Sequence, residues 1–537
     1  MPSDAETTFD YIVVGAGSAG CALARRLSDD PSLRVLVVEA GPPARGFWIQ
    51  TPAGMAKLFK NPRYNWGYFT EPVPTLRGRV LYWPRGKALG GSSAINGLVY
   101  VRGNRSDFNH WASLGNVGWA WEDVLPHFIR IENYGASAGS LQGTRGELAV
   151  SDSAIKHPTA TDFIESARRI GIPAIDSFNG EETEAVGFLQ ANIRNGLRQS
   201  SYDAFLKPVR HRSNLVIESG AHVKRILMQD RRAIGIEMLQ DNTQRVFAAK
   251  REVILCAGAL NSPQVLMLSG IGDGTELRRH GIDALHHLPG VGCNLQDHFV
   301  ARIQAAVTPE SSYNRALNGW RMYAEGVRYL MTRGGYLALP SSMAGAFVKS
   351  SPQIDYSDLE ISFRPMTFTH LPAGQVRVDP IDAVGASVYS TRPASRGRVT
   401  LRSADPLDAP RFQPNFLEHA DDIRVMLAGI RKLRQIFATE PLASRVLSEI
   451  TPGAERVTDE QLLDYMKREG HCAFHPAGSC KMGTDEMSVV DAHLRVRGIA
   501  GLRVADASIM PTVTAGNTNA PSIMIGHKAA ELVRADY

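Results

Sequence analysis

A chain of 537 residues, 44% apolar and 21% charged, has the profile of a globular protein and excludes a disordered, fibrous or membrane-spanning one. The formal net charge of +5 is a mild excess. Short basic clusters such as 207–212 and 431–434 lack interleaved aromatics, which excludes a nucleic-acid surface. They read as solvated faces, with anionic lipid headgroups as the alternative contact. Five cysteines (Cys21, Cys256, Cys293, Cys472, Cys480) are too scattered for a disulfide framework, and no CxxC pair marks zinc.

A single core gives way to two or more at this length. No Pro/Gly/Ser-rich linker announces a boundary, so two domains are expected, with a chain that crosses between them several times. Residues 9–14 read as a buried strand, 15–20 as a glycine-rich turn, 18–28 as a helix and 33–39 as a second buried strand, which together form a βαβ unit. Segments 215–218, 223–228, 233–239 and 252–256 read as a small β-meander ending in one more central strand. Residues 421–437 carry apolar side chains at helical spacing with arginines opposite, the pattern of an amphipathic helix on a core. A strand at 502–505 and a helix at 520–533 close the chain. There is no basic leader at the start, and no apolar run approaches the roughly 18 residues of a spanning helix. A cytoplasmic location is expected, with peripheral contact at the inner face of a membrane as an option.

Gly15, Gly17 and Gly20 form GxGxxG directly after a strand and at the opening of a helix, with Glu39 at the end of the next strand. Gly15 permits the tight turn, Gly17 lets backbone approach a pyrophosphate and Gly20 allows close helix-to-strand packing. The helix N-terminus attracts phosphate charge. Glu39 would accept from a ribose diol, and its carboxylate argues against a 2′-phosphate. FAD and NAD both remain open on this motif.

Four further segments resolve that choice by resemblance: Pro84, Arg85, Gly86 and Lys87 running into Gly90, Gly91, Ser92, Ser93, Asn96 and Gly97; Gly258 through Gly272; His475 through Cys480; and Arg503 through Ser508. In this order they resemble the signatures of the glucose/methanol/choline (GMC) oxidoreductase family. The likeness is greatest to its choline dehydrogenase and bacterial FAD-dependent alcohol dehydrogenase branches. It implies an α/β (α+β mixed) architecture: a Rossmann-type FAD-binding domain (8–155, 212–305 and 475–537) and a discontinuous substrate-binding domain (156–211 and 306–474) built on an antiparallel sheet with helices. It also implies that the backbone of Asn96, Gly97, Leu98 and Val99 lies on the isoalloxazine, that Val223 meets the adenine, and that Asp506 and Ala507 sit near the phosphates and ribityl chain. Asp506 as a helix cap is the alternative. Ser18, Ala19, Ala40, Arg85, Gly90, Gly91, Asn517 and Thr518 complete the implied cofactor set. Some relatives attach FAD through a histidine in this loop; Ile95 stands there, so a non-covalent FAD is expected. Segment 258–272 reads as structural, a helix ending at Ser269 and Gly270.

A flavin accepts hydride but not the alcohol's proton, so a base must stand within reach of the hydroxyl. The resemblance gives that role to His475 and matches the second catalytic position to Asn517, with Asn519 as fallback. An asparagine can orient the alcohol but cannot be the base. His471, four residues before His475, has no acid beside it and reads as no metal ligand, so no metal is expected. Asp297 and His298 read as architecture, with a flavin-edge role for His298 as the alternative. Cys472 and Cys480 read as inert thiols. The expected activity is oxidation of a primary alcohol to the aldehyde, with electrons passed to a quinone or other carrier. An O2-dependent oxidase making H2O2 is the runner-up; a lyase, a decarboxylase and a non-catalytic flavin sensor are readings of other classes. The substrate pocket is expected among 306–470, with Phe347, Phe363, Met366 and Phe368 as candidates that equally suit a core.

Overall fold

Two seven-stranded sheets, with small two-stranded ribbons around them, form the frame of the computed structural model, which describes residues 7–135, 139, 141–180, 184–371 and 375–536. The first sheet runs Leu215–Ser219, Val35–Glu39, Thr8–Val14, Thr243–Leu255, Arg232–Gln240, Ala221–Gln229, with Leu502–Val504 beside the end of Thr243–Leu255. Val35–Glu39 is buried along its whole length, as a parallel strand covered on both faces must be. At its neighbour the chain turns through Gly15, whose φ of +101° only glycine adopts without strain. A Cβ there would also lie 2.5 Å from the Cys256 carbonyl oxygen.

Two sequence expectations change here. Residues 215–219 do not open the meander; they pair in parallel with Val35–Glu39 at the far edge of the sheet. The segment at 252–256 is not a separate strand either. It is the last part of Thr243–Leu255, whose first half pairs antiparallel with Arg232–Gln240 and whose second half runs parallel to Thr8–Val14 and Leu502–Val504. Polar residues such as Lys250 and Arg251 interrupt its apolar pattern because the middle of the strand faces solvent, and periodicity alone reads such an interruption as a turn.

The second sheet is antiparallel in every pairing: Val446–Thr451, Phe299–Val307, Ala383–Ser390, Leu359–Arg364, Ala344–Val348, Ala185–Phe188, with His471–Cys472 on Phe299–Val307. Phe299–Val307 therefore belongs to this sheet, although 299–305 was expected with the first unit. Its alternating burial is that of a strand with one covered face. Helix Ala420–Phe437 lies on one face and buries Val425, Met426, Ile430, Leu433 and Ile436; Gly429 brings it against Val388 and Leu359. The other face looks into a large cavity between the two sheets. The chain crosses there: it leaves the second sheet at His471–Cys472, bridges Gln296 to Ala477, and enters the first sheet at Leu502–Val504. Among the described residues no helix is long and apolar enough to cross a membrane.

Ile430 is wholly buried between helix and sheet. Ile430→Ala is expected to cost about 2–5 kcal/mol, read as a lower denaturant midpoint; an unchanged midpoint would contradict this packing.

Candidate active site

The cavity has a volume of about 1030 Å³, and one wall is the βα turn of the first sheet. Helix Ser18–Leu27 begins there at Gly17 with no side-chain cap, which leaves its first amides free for a ligand. A Cβ on Gly17 would meet nothing closer than the Cys256 oxygen at 3.9 Å, and one on Gly258 nothing within 4 Å, so bare backbone faces the space. Glu39 stands beside it. Its two oxygens accept from the amides of Ala16 (3.0 Å) and Gly41 (2.8 Å) and keep lone pairs for a hydroxyl donor. Burial pushes this carboxyl up to about 7, against the pull of those two amides and of Lys87. An uncapped helix start, an uncluttered wall and an acceptor at the next strand end fit a dinucleotide diphosphate and its ribose.

Of the cofactor-binding candidates from the sequence and the catalytic candidates His475 and Asn517, all line this cavity except Gly20 and Gly90. Gly20 packs on the Gly15 carbonyl, where a Cβ would lie at 1.9 Å, and Gly90 donates its amide to the Ala16 carbonyl at 2.8 Å. Both shape the turn from behind. Asp506 is on the wall and is also a cap: one oxygen accepts from the amide of Ser508 (2.8 Å), the other from the amide of Gly258 (2.9 Å) and the hydroxyl of Ser262 (2.5 Å). The cap reading therefore holds, for a carboxylate that also stands on the cavity wall. Ile95 puts an inert side chain on the wall. Segment 261–268 is a helix with Ser269 as its C-cap and Gly270 at φ +79°.

His475 also stands on the cavity wall. Its Nε2 lies 2.9 Å from Nδ2 of Asn517, and its Nδ1 lies 3.0 Å from Nδ1 of His298. The tautomers follow from the far end of this chain. Nε2 of His298 is 3.2 Å from the Thr391 carbonyl, which can only accept, so His298 carries its proton on Nε2. Its Nδ1 is then an acceptor, His475 donates from Nδ1, and Nε2 of His475 presents a lone pair toward the cavity. The Asn517 amide nitrogen facing that lone pair is the consistent orientation.

Burial, then His298 and the Arg85 guanidinium, hold His475 well below its ordinary 6.5. Burial brings His298 to about 4, against the pull of the Thr391 carbonyl. Both rings are therefore neutral near pH 7. Asp297 fixes their backbone, accepting on Oδ1 from the amides of His298 (2.7 Å) and His475 (2.8 Å). Arg85 donates to the Phe474 carbonyl at 2.7 Å, which pins a residue held at φ +67°. The tyrosine ring of Tyr389 stacks on His298 at 4.8 Å.

His298 is thus buried architecture in direct contact with His475, and it is not on the cavity wall. A ring contact formed across 177 residues leaves no local signal in the sequence. Asn519 instead accepts from the Ser18 hydroxyl at 2.7 Å. His471 turns to the Cys472 carbonyl, and burial holds the thiols of Cys472 and Cys480 well above their usual range. Of the proposed pocket aromatics, Met366 and Phe368 line the cavity. Phe363 points to the opposite sheet face and stacks on Phe163 at 4.5 Å, while Phe347 is sealed by Phe178 at 5.4 Å; both are core. Glu360, Arg302, Arg364 and Tyr389, which the sequence did not mark, also line the cavity.

The family model described as GMC oxidoreductase matches residues 9–300, and its C-terminal counterpart matches 393–526. The chain is 41% identical to an alcohol dehydrogenase (acceptor) of Pseudomonas putida, over 98% of this chain and 95% of that one. It is 40% identical to an oxygen-dependent choline dehydrogenase of Brucella melitensis, over 97% and 94%. Among solved structures it is similar to pyridoxine 4-oxidase from Mesorbium loti, with a TM-score of 0.87 and 30% identity over 97% of this chain and 98% of that one. Matches along nearly the whole length, joined to one cavity lined by a dinucleotide cradle and a neutral histidine, mean that the chain belongs to the GMC oxidoreductase family and is an FAD-dependent oxidoreductase acting on CH–OH donors.

Proposed function

We propose that this enzyme oxidises a primary alcohol to the aldehyde, with Nε2 of His475 as the general base. The observation that carries the proposal is the hydrogen-bonded chain from the Thr391 carbonyl through His298 to His475 and Asn517. FAD, when bound, supplies the hydride acceptor; the residues discussed next handle the proton.

The 2.9 Å contact between His475 and Asn517 marks the point that an alcohol oxygen would enter. There the hydroxyl donates to the lone pair on Nε2 and accepts from the Asn517 amide, which also steadies negative charge as the O–H bond weakens. The proton moves to Nε2, and the imidazolium keeps its Nδ1 donation to His298. Asp297 and Arg85 hold the backbone around the base, so the ring does not reorient on charging. His475 and Asn517 act on the substrate; His298, Asp297 and Arg85 position them. On the cofactor side, the glycine wall, Glu39, the backbone of 96–99, Val223 and Ala507 are the proposed contacts, and Ile95 offers no group for covalent attachment.

We assign the electrons to a quinone or another carrier, as the name of the alcohol dehydrogenase (acceptor) relative suggests. Such an acceptor fits a cytoplasmic enzyme in peripheral contact with a membrane. Oxygen is the second reading, favoured by the names of the choline dehydrogenase and pyridoxine oxidase neighbours. H2O2 formed in step with alcohol consumed would decide for oxygen.

His475→Ala is expected to slow flavin reduction by an alcohol roughly 10²- to 10⁴-fold in anaerobic stopped-flow measurements, and an unchanged rate would remove the base from the mechanism. Asn517→Ala, which deletes one donor to the developing alkoxide, should lower the same rate constant about 10²- to 10³-fold. The base must be neutral to act, and its folded value lies well below 6.5. Protonation of the base should therefore lower the reduction rate only below about pH 6; an acid limb that tracks His475, absent in His475→Ala, with its midpoint above about pH 7 would contradict the assignment.

A further inference from the structure

The wall beyond the base carries charge that the proton relay does not use. Strand Leu359–Arg364 turns Glu360, Ser362 and Arg364 to one face. Beside them in register lie Tyr389, Ser387 and Gly385, and next Val300, Arg302 and Gln304. The face therefore reads in rows. Glu360, Tyr389 and Val300 form the row at the base, where the Tyr389 ring stands 6.2 Å from that of His475. Ser362, Ser387 and Arg302 form the next, about 7 Å along the strands, and Arg364 begins the third, about 13 Å along.

The two guanidinium groups flank one ring, each 5.3 Å from the centroid of Phe368. Arg364 donates to the Ser387 hydroxyl at 2.9 Å. Its buried Nε has no hydrogen-bond partner, and it makes no ion pair among the described residues. Burial and the charge of Arg364 bring Arg302 down to about 9. Arg364, with an unsatisfied Nε and a second cation beside it, carries a cost that an incoming anion would offset. Glu360 does not serve: it lies at the other end of the face, and burial pushes it up to about 8, so it is largely protonated near pH 7.

We propose that Arg364 and Arg302, with the hydroxyls of Ser362 and Ser387, form a carboxylate-binding subsite, and that the preferred substrates are hydroxy acids whose carboxylate lies roughly 7–13 Å from the carbinol carbon. The guanidinium fork matches a planar carboxylate. Met366 and Phe368 on the same wall suit an apolar spacer. The inference rests on the alcohol carbon standing at His475. It also separates this chain from its choline-oxidising relatives, because a quaternary ammonium group would enter beside two like charges.

The test compares ω-hydroxyhexanoate and ω-hydroxydecanoate with 1-hexanol and 1-decanol, and with choline, as anaerobic reductants of the purified holoenzyme. The second-order reduction constant should be at least about tenfold higher for each hydroxy acid than for the alkanol of equal length, with choline poorest. Arg364→Met should abolish that preference while the alkanol constants change less than about threefold, and Arg364→Lys should retain part of it. Equal or better reduction by alkanols in the unsubstituted enzyme overturns the subsite, as does a matching loss for both substrate classes in Arg364→Met that Lys does not restore. Adipate, titrated against the flavin absorbance spectrum, gives a readout without turnover. A saturable change that Arg364→Met abolishes supports the subsite even if no alcohol reduces the flavin, in which case only the oxidation reading fails. No change at all overturns the subsite while leaving that reading to the alkanols.

Discussion

The hydrogen bond between the Nδ1 atoms of His475 and His298 is the constraint on which the site depends. Two imidazoles that meet through the same atom cannot both donate, and the Thr391 carbonyl decides which one does. The lone pair that faces the cavity is therefore a property of the tertiary structure, set three groups away from the substrate. Burial then keeps both rings uncharged. The arrangement needs Asp297 to hold two backbone amides with one oxygen, and it needs an aromatic residue, Phe474, kept in a left-handed conformation just before the base. Strain of that kind persists only where surrounding contacts fix it, and Arg85 supplies one of them.

The cavity is divided in character by the two sheets that enclose it. The parallel sheet offers glycine backbone, a free helix start and a carboxylate, all suited to a long polar cofactor whose phosphates need amides. The antiparallel sheet offers side chains in register: a tyrosine and an acid near the base, then two serines with one arginine, then a second arginine. Period-two alternation puts all of these on one face and leaves Ile361, Phe363 and Val388 to pack under helix Ala420–Phe437 on the other. One strand thereby serves as core and as recognition surface.

Local features of the fold were legible in the sequence, and contacts between distant segments were not. The βαβ unit, the helix at 420–437 and the closing helix follow from apolar spacing and glycine placement, and their observed limits differ from expectation by one or two residues. Thr243–Leu255 was misread because half of it projects beyond the covered part of its sheet, where the apolar pattern lapses. His475 and Asn517 were legible only through resemblance, since 42 residues separate them and neither is unusual alone. His298 and the two arginines could not be found in this way. A histidine beside an aspartate, or an arginine in an alternating strand, looks like any polar residue until the sheet brings its neighbours into register. Phe347 and Phe363 err in the opposite direction: aromatic character suggested a pocket, and packing made them core.

The strand Leu502–Val504 completes the first sheet beside residues 253–255, about 250 positions earlier in the chain. During synthesis that edge stands open until about 250 further residues have emerged, so the nascent chain carries an unpaired, apolar strand margin in the meantime. The tail that finally closes it also brings Asn517 and the terminal helix. Assembly of the sheet and of the proposed catalytic pair are thus one event: chains cut before residue 502 should be prey for proteases and chaperones rather than weakened enzymes.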